Sequence, residues 1–333
     1  MQTRQLGQRK LSTPPLVIGT MDRHQAPDSL RINMIREAMA AGFNAFDTAP
    51  LYDFGRAERQ LGEALGDVPR DQVYLFSKVG LRWDAGDVGE VLFSEPDRDG
   101  VHRVVRRNSR PESIVEEVEH SLTRLQTDYL DLVQIHQPDP QTPIAESMAA
   151  LLDLRREGKV REIGVSNFSA EQVGQAQKAL GETGLCAVQS EYNLLRRGVE
   201  KVLLPLCNSQ GIGFLAYSPL AGGLLSGRNN AQLSPSARSC VEGVLASIAA
   251  EHGATAAVIA LAWLIAQPGV SAGLVGMSSL EQVPAYAEAA ELELPPAHLG
   301  QLADAFAGAQ IVHAWEQNPL RRRIGRLLRA LRR

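Results

Sequence analysis

A unit of one short apolar run and one longer amphipathic stretch recurs eight times along this chain, and few folds accommodate such a repeat. The runs are LVIGT (16–20), NAFDTA (44–49), YLFSKVG (74–80), LDLVQIH (130–136), VREIGVS (160–166), AVQSEYN (187–193), GFLAYSP (213–219) and GLVGMS (273–278). Runs this short and dense in Val, Ile and Leu suit strands buried on both faces. The intervening stretches carry helical spacing. In 28–41, Leu30, Met34, Ile35, Ala38 and Met39 share a face. In 111–125, Pro111 opens a segment whose Ile114, Val118, Leu122 and Leu125 form a stripe. Alternating strand and helix predicts a parallel sheet.

Successive runs start 28, 30, 56, 30, 27, 26 and 60 residues apart. Five of these intervals match one strand–helix unit of about 30 residues. The two long intervals hold 81–110 and 220–250, rich in Gly, Ser, Arg, Asn and Pro, and read as insertions. The expectation is an α/β fold: a (β/α)8 TIM barrel with long loops after strands 3 and 7 and a C-terminal helical tail. It forms one domain over 1–333, with the barrel at about 16–290 and helices at about 295–333. A doubly wound open sheet would carry a Gly-rich phosphate loop after its first strand, and GTMDRHQ has no GxGxxG.

Hydrophobic residues make up 44% and charged residues 22%, the balance of a globular chain rather than a disordered or fibrous one. A net charge of −4 argues against nucleic acid as a partner. No apolar stretch approaches the ~18 residues of a membrane span, and MQTRQLGQRKLSTPP lacks the apolar centre of a secretory signal. Cys186, Cys207 and Cys240 are widely spaced, so neither a disulfide framework nor a metal ladder is expected. These features point to a cytoplasmic protein with no bound metal. Nothing in them sets an oligomeric state. The end of the chain stands apart. LRRRIGRLLRALRR carries seven Arg and no acid, which leaves the remaining residues at −11. There Leu320, Ile324, Leu327, Leu328 and Leu331 share one helical face, a pattern that suits docking on the acidic barrel better than attachment to a membrane surface.

In such a barrel the reacting groups stand at the carboxyl ends of the strands. Asp47 ends strand two with Tyr52 five residues on, Lys78 ends strand three and His136 ends strand four. Singly, each has a bland explanation: a turn aspartate, a snorkelling lysine, a hydrogen-bonded histidine, a packing tyrosine. Together they can converge, because adjacent parallel strands lie ~4.8 Å apart. A buried Lys needs a carboxylate, which Asp47 supplies. An ammonium beside a phenol favours the phenolate, and a Tyr so tuned can donate a proton to a developing alkoxide. His136 can orient a carbonyl oxygen or relay the proton. A proton donor aimed at an oxyanion, without a nucleophile or metal ligands, fits carbonyl reduction. No side chain supplies a hydride, so a nicotinamide cofactor is implied, NADP(H) or NAD(H).

At these residues the sequence resembles the aldo-keto reductase superfamily, over about 4–305. The likeness rests on LVIGT, FDTAPLYDFGRAERQLGEAL, FSKVG, TDYLDLVQIHQPD, GKVREIGVSNFS, VQSEYNLL, YSPLAGGLLSG and GLVGMSSLEQV, in that order. The look is that of bacterial members reducing methylglyoxal, pyridoxal or sugars. The resemblance implies Asp47, Tyr52, Lys78 and His136 as a catalytic tetrad, with Tyr52 as the acid and the 4-pro-R hydride of NAD(P)H transferred. It implies that Ser166, Asn167 and Gln189 hold the nicotinamide amide and that Tyr217 stacks on its ring. Gly19, Thr20 and Asp47 would also touch the cofactor. Ser218, Pro219, Leu220, Gly222 and Leu224 match the pyrophosphate strap. Gly276, Met277, Ser278 and Gln282 match the adenosine-phosphate segment, where the start of a helix offers free N–H groups.

Two departures bear on the cofactor. Met277 and Ser279 stand where many relatives carry Lys or Arg for the 2′-phosphate of NADPH, and Tyr286 stands where Asn is usual. The resemblance favours NADPH while the local chemistry tolerates NADH, so neither is preferred. Segment 220–250 is short beside relatives, which predicts a looser strap and faster cofactor exchange. For a small-molecule carbonyl substrate, Tyr52, Phe54, Trp83 and His136 are the expected walls. Arg103, Arg106 and Arg107 either hold an anionic substrate or sit as solvated charges. The alternative function is a cofactor-binding regulatory subunit with little turnover, like the barrel subunits of potassium channels, which keep the same tetrad.

Overall fold

The computed structural model describes residues 3–8, 11–21, 26–227 and 233–309. Eight parallel strands close into a barrel in sequence order. They are β1 (Leu16–Gly19), β2 (Ala45–Asp47), β3 (Tyr74–Val79), β4 (Leu130–Ile135), β5 (Val160–Ser166), β6 (Ala187–Glu191), β7 (Gly213–Tyr217) and β8 (Val270–Gly276). Between and after them run α1 (Asp28–Ala40), α2 (Arg56–Leu65), α3 (Pro111–Leu125), α4 (Ile144–Arg156), α5 (Ala170–Leu180), α6 (Leu203–Ser209), α7 (Ala256–Ile265) and α8 (Gln282–Glu291). Pairing of β8 with β1, from Gly273↔Leu16 to Gly276↔Gly19, closes the cylinder. The expected (β/α)8 barrel is the fold.

Period two decides what the barrel presents. Val17, Ala45, Phe76, Leu132, Ala187, Leu215 and Ala272 fill its middle as one apolar cluster. Two residues further along the same strands come Gly19, Asp47, Lys78, Gln134, Gln189, Tyr217 and Leu274. The same parity that packs the interior therefore delivers polar groups to the carboxyl mouth. The opposite parity, including Ile18, Phe46, Leu75, Val133, Val165, Val188, Phe214 and Val275, packs outward under the helices. Each such burial contributes roughly 1.5–3 kcal/mol. The amino end is plugged by a hairpin, Arg4–Gln5 with Ser12–Thr13, whose Leu6 and Leu11 join the interior cluster. A Cβ on Gly213 would lie 2.6 Å from Leu6 Cδ1, so glycine there lets the plug seat.

The α3 stripe of Ile114, Val118, Leu122 and Leu125 is buried as expected, behind Pro111 in the first turn. The α1 face is rotated from the expectation. It buries Arg31, Ile32, Met34, Ile35 and Ala38, while Leu30 and Met39 lie at its margin. Helix α7 is buried from Val258 to Ile265. Among the described residues no single helix is long and apolar enough to cross a membrane.

The first insertion is not an irregular loop. Leu81–Arg82, Glu90–Pro96 and His102–Arg107 form a three-stranded antiparallel sheet. It has a small core of its own: Leu81, Leu92 and Val105 with Phe54, flanked by Leu51, Trp83 and Phe93. The second insertion is mostly helical: Ala221–Ser226 is a 3-10 turn, and a helical run with a π-helical stretch at Cys240–Leu245 extends from Pro235 to Glu251. Among the described residues, one more helix follows α8, Pro296–Ala305. The Arg-rich segment 320–333 lies outside the described residues.

Candidate active site

The expected tetrad forms one cluster at the mouth. Lys78 is 1% exposed and donates to Asp47 Oδ1 at 2.5 Å and to Thr48 O at 3.0 Å. It also bonds the Tyr52 side chain, and its Nζ lies 4.9 Å from that ring's centre. The rings of Tyr52 and His136 meet edge to face at 5.8 Å. Strand register brings these groups together: Asp47 lies opposite Phe76, and Lys78 opposite Gln134. Burial alone would strip the proton from Lys78. The Asp47 carboxylate and Tyr52 more than offset it, and the pKa rises above the ordinary lysine value. His136 goes the other way. Desolvation, then the Lys78 charge, holds its pKa well below the usual imidazole range, so the ring is neutral at neutral pH. Tyr52 itself sits before three consecutive left-handed residues, Asp53 (φ 49°), Phe54 (φ 50°) and Gly55 (φ 82°). For Phe54 that conformation costs roughly 1–2 kcal/mol, whereas Asp53 adopts it more readily.

Beside the tetrad runs a ring of amides and hydroxyls. Gln189 Nε2 donates to Asp47 Oδ2 at 3.0 Å. Ser166 ends β5 and Asn167 follows it with φ 63°. Asn167 Nδ2 donates to His136 O at 3.0 Å and Ser166 Oγ at 3.1 Å, and its Oδ1 accepts from Tyr217 OH at 2.8 Å. Gln134 Nε2 and Thr48 Oγ1 are buried without a hydrogen-bond partner. Orphaned polar atoms at the mouth of a barrel are unusual unless a ligand completes them. The donor set therefore fits a nicotinamide, whose carboxamide offers both donors and acceptors.

The remaining expected cofactor residues divide. Gly19 ends β1, and Thr20 is buried with its N–H and Oγ1 donating to Asp47 O at 2.9 and 3.3 Å. Ser218 (φ 52°) and Leu220 are half-buried, and Gly222 is exposed with φ 71°. Pro219 is buried. Leu224 is 1% exposed and packs in the core. Met277 is likewise 5% exposed in the core. Two of the N–H groups at this helix start have a partner within the chain. Gln282 Oε1 accepts from Ser278 N at 2.6 Å and Ser279 N at 3.2 Å, because the side chain reaches back over its own helix start. Tyr286 is buried and donates to Gly276 O at 2.7 Å. A Cβ built on Gly276 would meet only Met21 O, at 4.0 Å, which leaves an open approach there. Sequence reasoning missed Arg31. Its guanidinium donates to Met277 O at 2.8 Å and Thr20 O at 2.7 Å, tying β8 to β1 at the mouth. The signal was a cation in helical register with Met34, Ile35 and Ala38.

Comparison with known proteins agrees with this geometry. The aldo/keto reductase family profile matches residues 15–306. The chain belongs to the aldo/keto reductase family. It is 35% identical to the NADH-specific methylglyoxal reductase of Escherichia coli K12, over 84% of this chain and 86% of that protein. It is 33% identical to a probable voltage-gated potassium channel subunit beta of Arabidopsis thaliana, over 73% of this chain and 76% of the other. The solved glycerol dehydrogenase of Gluconobacter oxydans superposes with a TM-score of 0.79 at 30% identity, covering 92% and 95% of the two chains. Aldo/keto reductases use NAD(P)H, so the cofactor is NADP(H) or NAD(H).

The first insertion packs against the segment that carries Tyr52, through Leu51 and Phe54. Trp83 meets Phe54 edge to face at 5.6 Å, and its Nε1 donates to Pro50 O at 3.3 Å. The insertion's arginines are spoken for: Arg103 pairs with Asp97, Arg106 with Asp87 and Arg107 with Glu90. An anion-binding role for them finds no support. Glu117 was also missed. It is buried on α3, with Oε1 accepting from Gly80 N at 2.8 Å and Oε2 unpartnered.

Proposed function

We propose that this aldo/keto reductase reduces the carbonyl of a small aldehyde, ketone or sugar to an alcohol, with Tyr52 as the general acid. Lys78 carries the reading. It is a buried ammonium held between Asp47 and the Tyr52 side chain. Such a charge is costly unless partners use it, and here it stabilises the tyrosinate left when the proton departs. The bound nicotinamide supplies the hydride. Ser166, Asn167 and Gln189 would hold its carboxamide and Tyr217 would press on its ring. Asp47 keeps Lys78 charged. Neutral His136, its ring against Tyr52, orients the carbonyl oxygen by hydrogen bonding rather than by relaying a proton. Phe54 and Trp83 form an apolar side suited to an uncharged substrate. Tyr52→Phe should abolish turnover while cofactor affinity, read by fluorescence titration, stays within about twofold. Near-parental activity in that variant ends the mechanism.

The adenosine end supports acceptance of NADH. Among the described residues, the N–H groups of Ser278 and Ser279 are occupied by Gln282, and Arg31 spends its guanidinium on backbone carbonyls. A 2′-phosphate would want a free cation or free N–H groups. Steady-state rates with NADH and NADPH test this directly. A regulatory subunit would bind cofactor yet leave a panel of aldehydes almost unreduced.

A further inference from the structure

We propose that Arg98, at the tip of the sheet inserted after β3, is a positioning residue for Tyr52. It clasps the left-handed turn that carries this side chain, and the inference rests on Tyr52 being the proton donor.

The tip is built to be rigid. Asp97 Oδ1 accepts from Asp99 N at 3.0 Å and Val101 N at 2.9 Å, and Asp97 Oδ2 accepts from Arg103 Nε at 2.9 Å. From this turn Arg98 reaches off the insertion. Its Nε lies 2.5 Å from Asp53 Oδ2, and its NH1 donates to Ala26 O at 2.8 Å. The two side chains are 12% and 14% exposed, so water screens the pair poorly. Asp53 follows Tyr52 directly and opens the left-handed run through Phe54 and Gly55. Asp tolerates that conformation, but Phe does not choose it unaided. Local backbone bonds hold the turn from its two ends: Tyr52 N to Ala49 O at 3.0 Å and Phe54 N to Leu51 O at 3.2 Å on one side, Arg56 N to Asp53 O at 3.0 Å and Ala57 N to Tyr52 O at 3.3 Å on the other, and none of them involves the Asp53 carboxylate. The insertion adds the long-range ones. Arg98 fixes Asp53, and Trp83 fixes Phe54 and Pro50. Behind the turn, Asp28 accepts from Arg56 at 2.7 and 2.8 Å and from Gln60 at 2.6 Å, which anchors the start of α2 to α1. The clasp thus closes on a braced base. Without Arg98, Asp53 keeps a poorly screened charge with no counter-ion from the tip. The turn then relaxes and the Tyr52 hydroxyl drifts from Lys78.

The experiment compares Arg98→Ala, Arg98→Lys, Asp53→Asn and Arg98→Ala/Asp53→Asn with the parent. Asn is chosen because it tolerates a left-handed φ. A misplacement of the acid by ~1 Å costs on the order of a hundredfold in rate. Arg98→Ala should therefore lower kcat about ten- to a hundredfold, with cofactor Kd within about twofold. Amides of residues 52–56 should exchange hydrogen faster, while those of the barrel strands do not change. Lys at 98 should recover most of kcat, and the double variant should be no worse than the worse single one. Parental kcat in Arg98→Ala, or losses that multiply in the double variant, overturn the proposal. Should Arg98→Ala fail to fold, parental kcat in Asp53→Asn overturns it equally. Tyr52→Phe is run alongside. Turnover surviving there removes the proton-donor reading, whereas a dead Tyr52→Phe with a normal Arg98→Ala removes only the clasp.

Discussion

Replacing Lys78 with Met deletes the ammonium while keeping a stem of similar length. Two costs follow, and they separate. The first is electrostatic support for Tyr52. With the tyrosinate charge placed at the ring centre, 4.9 Å from Nζ, and an effective dielectric of about 20, Coulomb's law gives about 3.4 kcal/mol, or roughly a 300-fold loss of kcat. The second is the stranded Asp47 carboxylate, 3% exposed and left with the Gln189 amide as its side-chain donor. An uncompensated buried charge of this kind destabilises by about 3–5 kcal/mol. Lys78→Met/Asp47→Asn should recover most of the stability, because the neutral amide needs no counter-ion, yet recover none of the rate. Initial rates of reduced-nicotinamide oxidation and urea unfolding give the two numbers. If the single variant kept kcat within tenfold of the parent, the charge would not be supporting the acid. If activity returned together with stability in the double variant, Lys78 would be structural only.

Other perturbations report on other parts. Burial first, against the pull of the Gly80 N–H and Arg82, pushes the Glu117 carboxyl up to about 8, from 4.5 in the unfolded chain. The folded state keeps a proton that the unfolded state releases. The group's stabilisation is therefore complete below about pH 4.5 and is lost as pH rises toward 8, at about 1.4 kcal/mol per unit. Glu117→Gln should remove that slope, gaining on the parent in urea midpoints between about pH 5 and about pH 8. A constant difference across that range contradicts the assignment. Asp131 lies near the amino end of β4, fully buried, and accepts from Arg70 at 2.6 Å, Arg161 at 2.9 Å and Leu75 N at 2.9 Å. Residues at that end of a barrel serve stability rather than chemistry. Asp131→Ala should cost about 1–3 kcal/mol of stability, since it leaves the Leu75 N–H unpaired while Arg70 and Arg161 reach water, and should leave kcat of the folded fraction unchanged.

Some of this site could be read before any coordinates existed. Lys78 lies two residues beyond inward Phe76, and Asp47 two beyond inward Ala45, so strand parity alone sends both to the mouth. Arg31 and Glu117 were equally visible in principle, as charges in register with apolar helical faces. They were overlooked because an apolar stripe is usually judged by its apolar members. The arginines of 81–110 were a different case. Four of them, Arg98, Arg103, Arg106 and Arg107, have the same composition signal, and only their partners differ.

What the amino-acid order determined by itself was the barrel, the strands that end in polar groups, and the chemistry those groups could share. Such features follow from local rules: two residues per pleat, 3.6 per helical turn, and about 30 per strand–helix unit. What tertiary structure alone decided was partnership. It set Arg98 on Asp53 rather than on a substrate, turned Gln282 onto the amides of Ser278 and Ser279, and left Glu117 with a single hydrogen bond. Ion pairs and caps depend on distances between side chains far apart in the chain. No periodicity encodes those distances until the closed barrel and its inserted sheet bring the elements together.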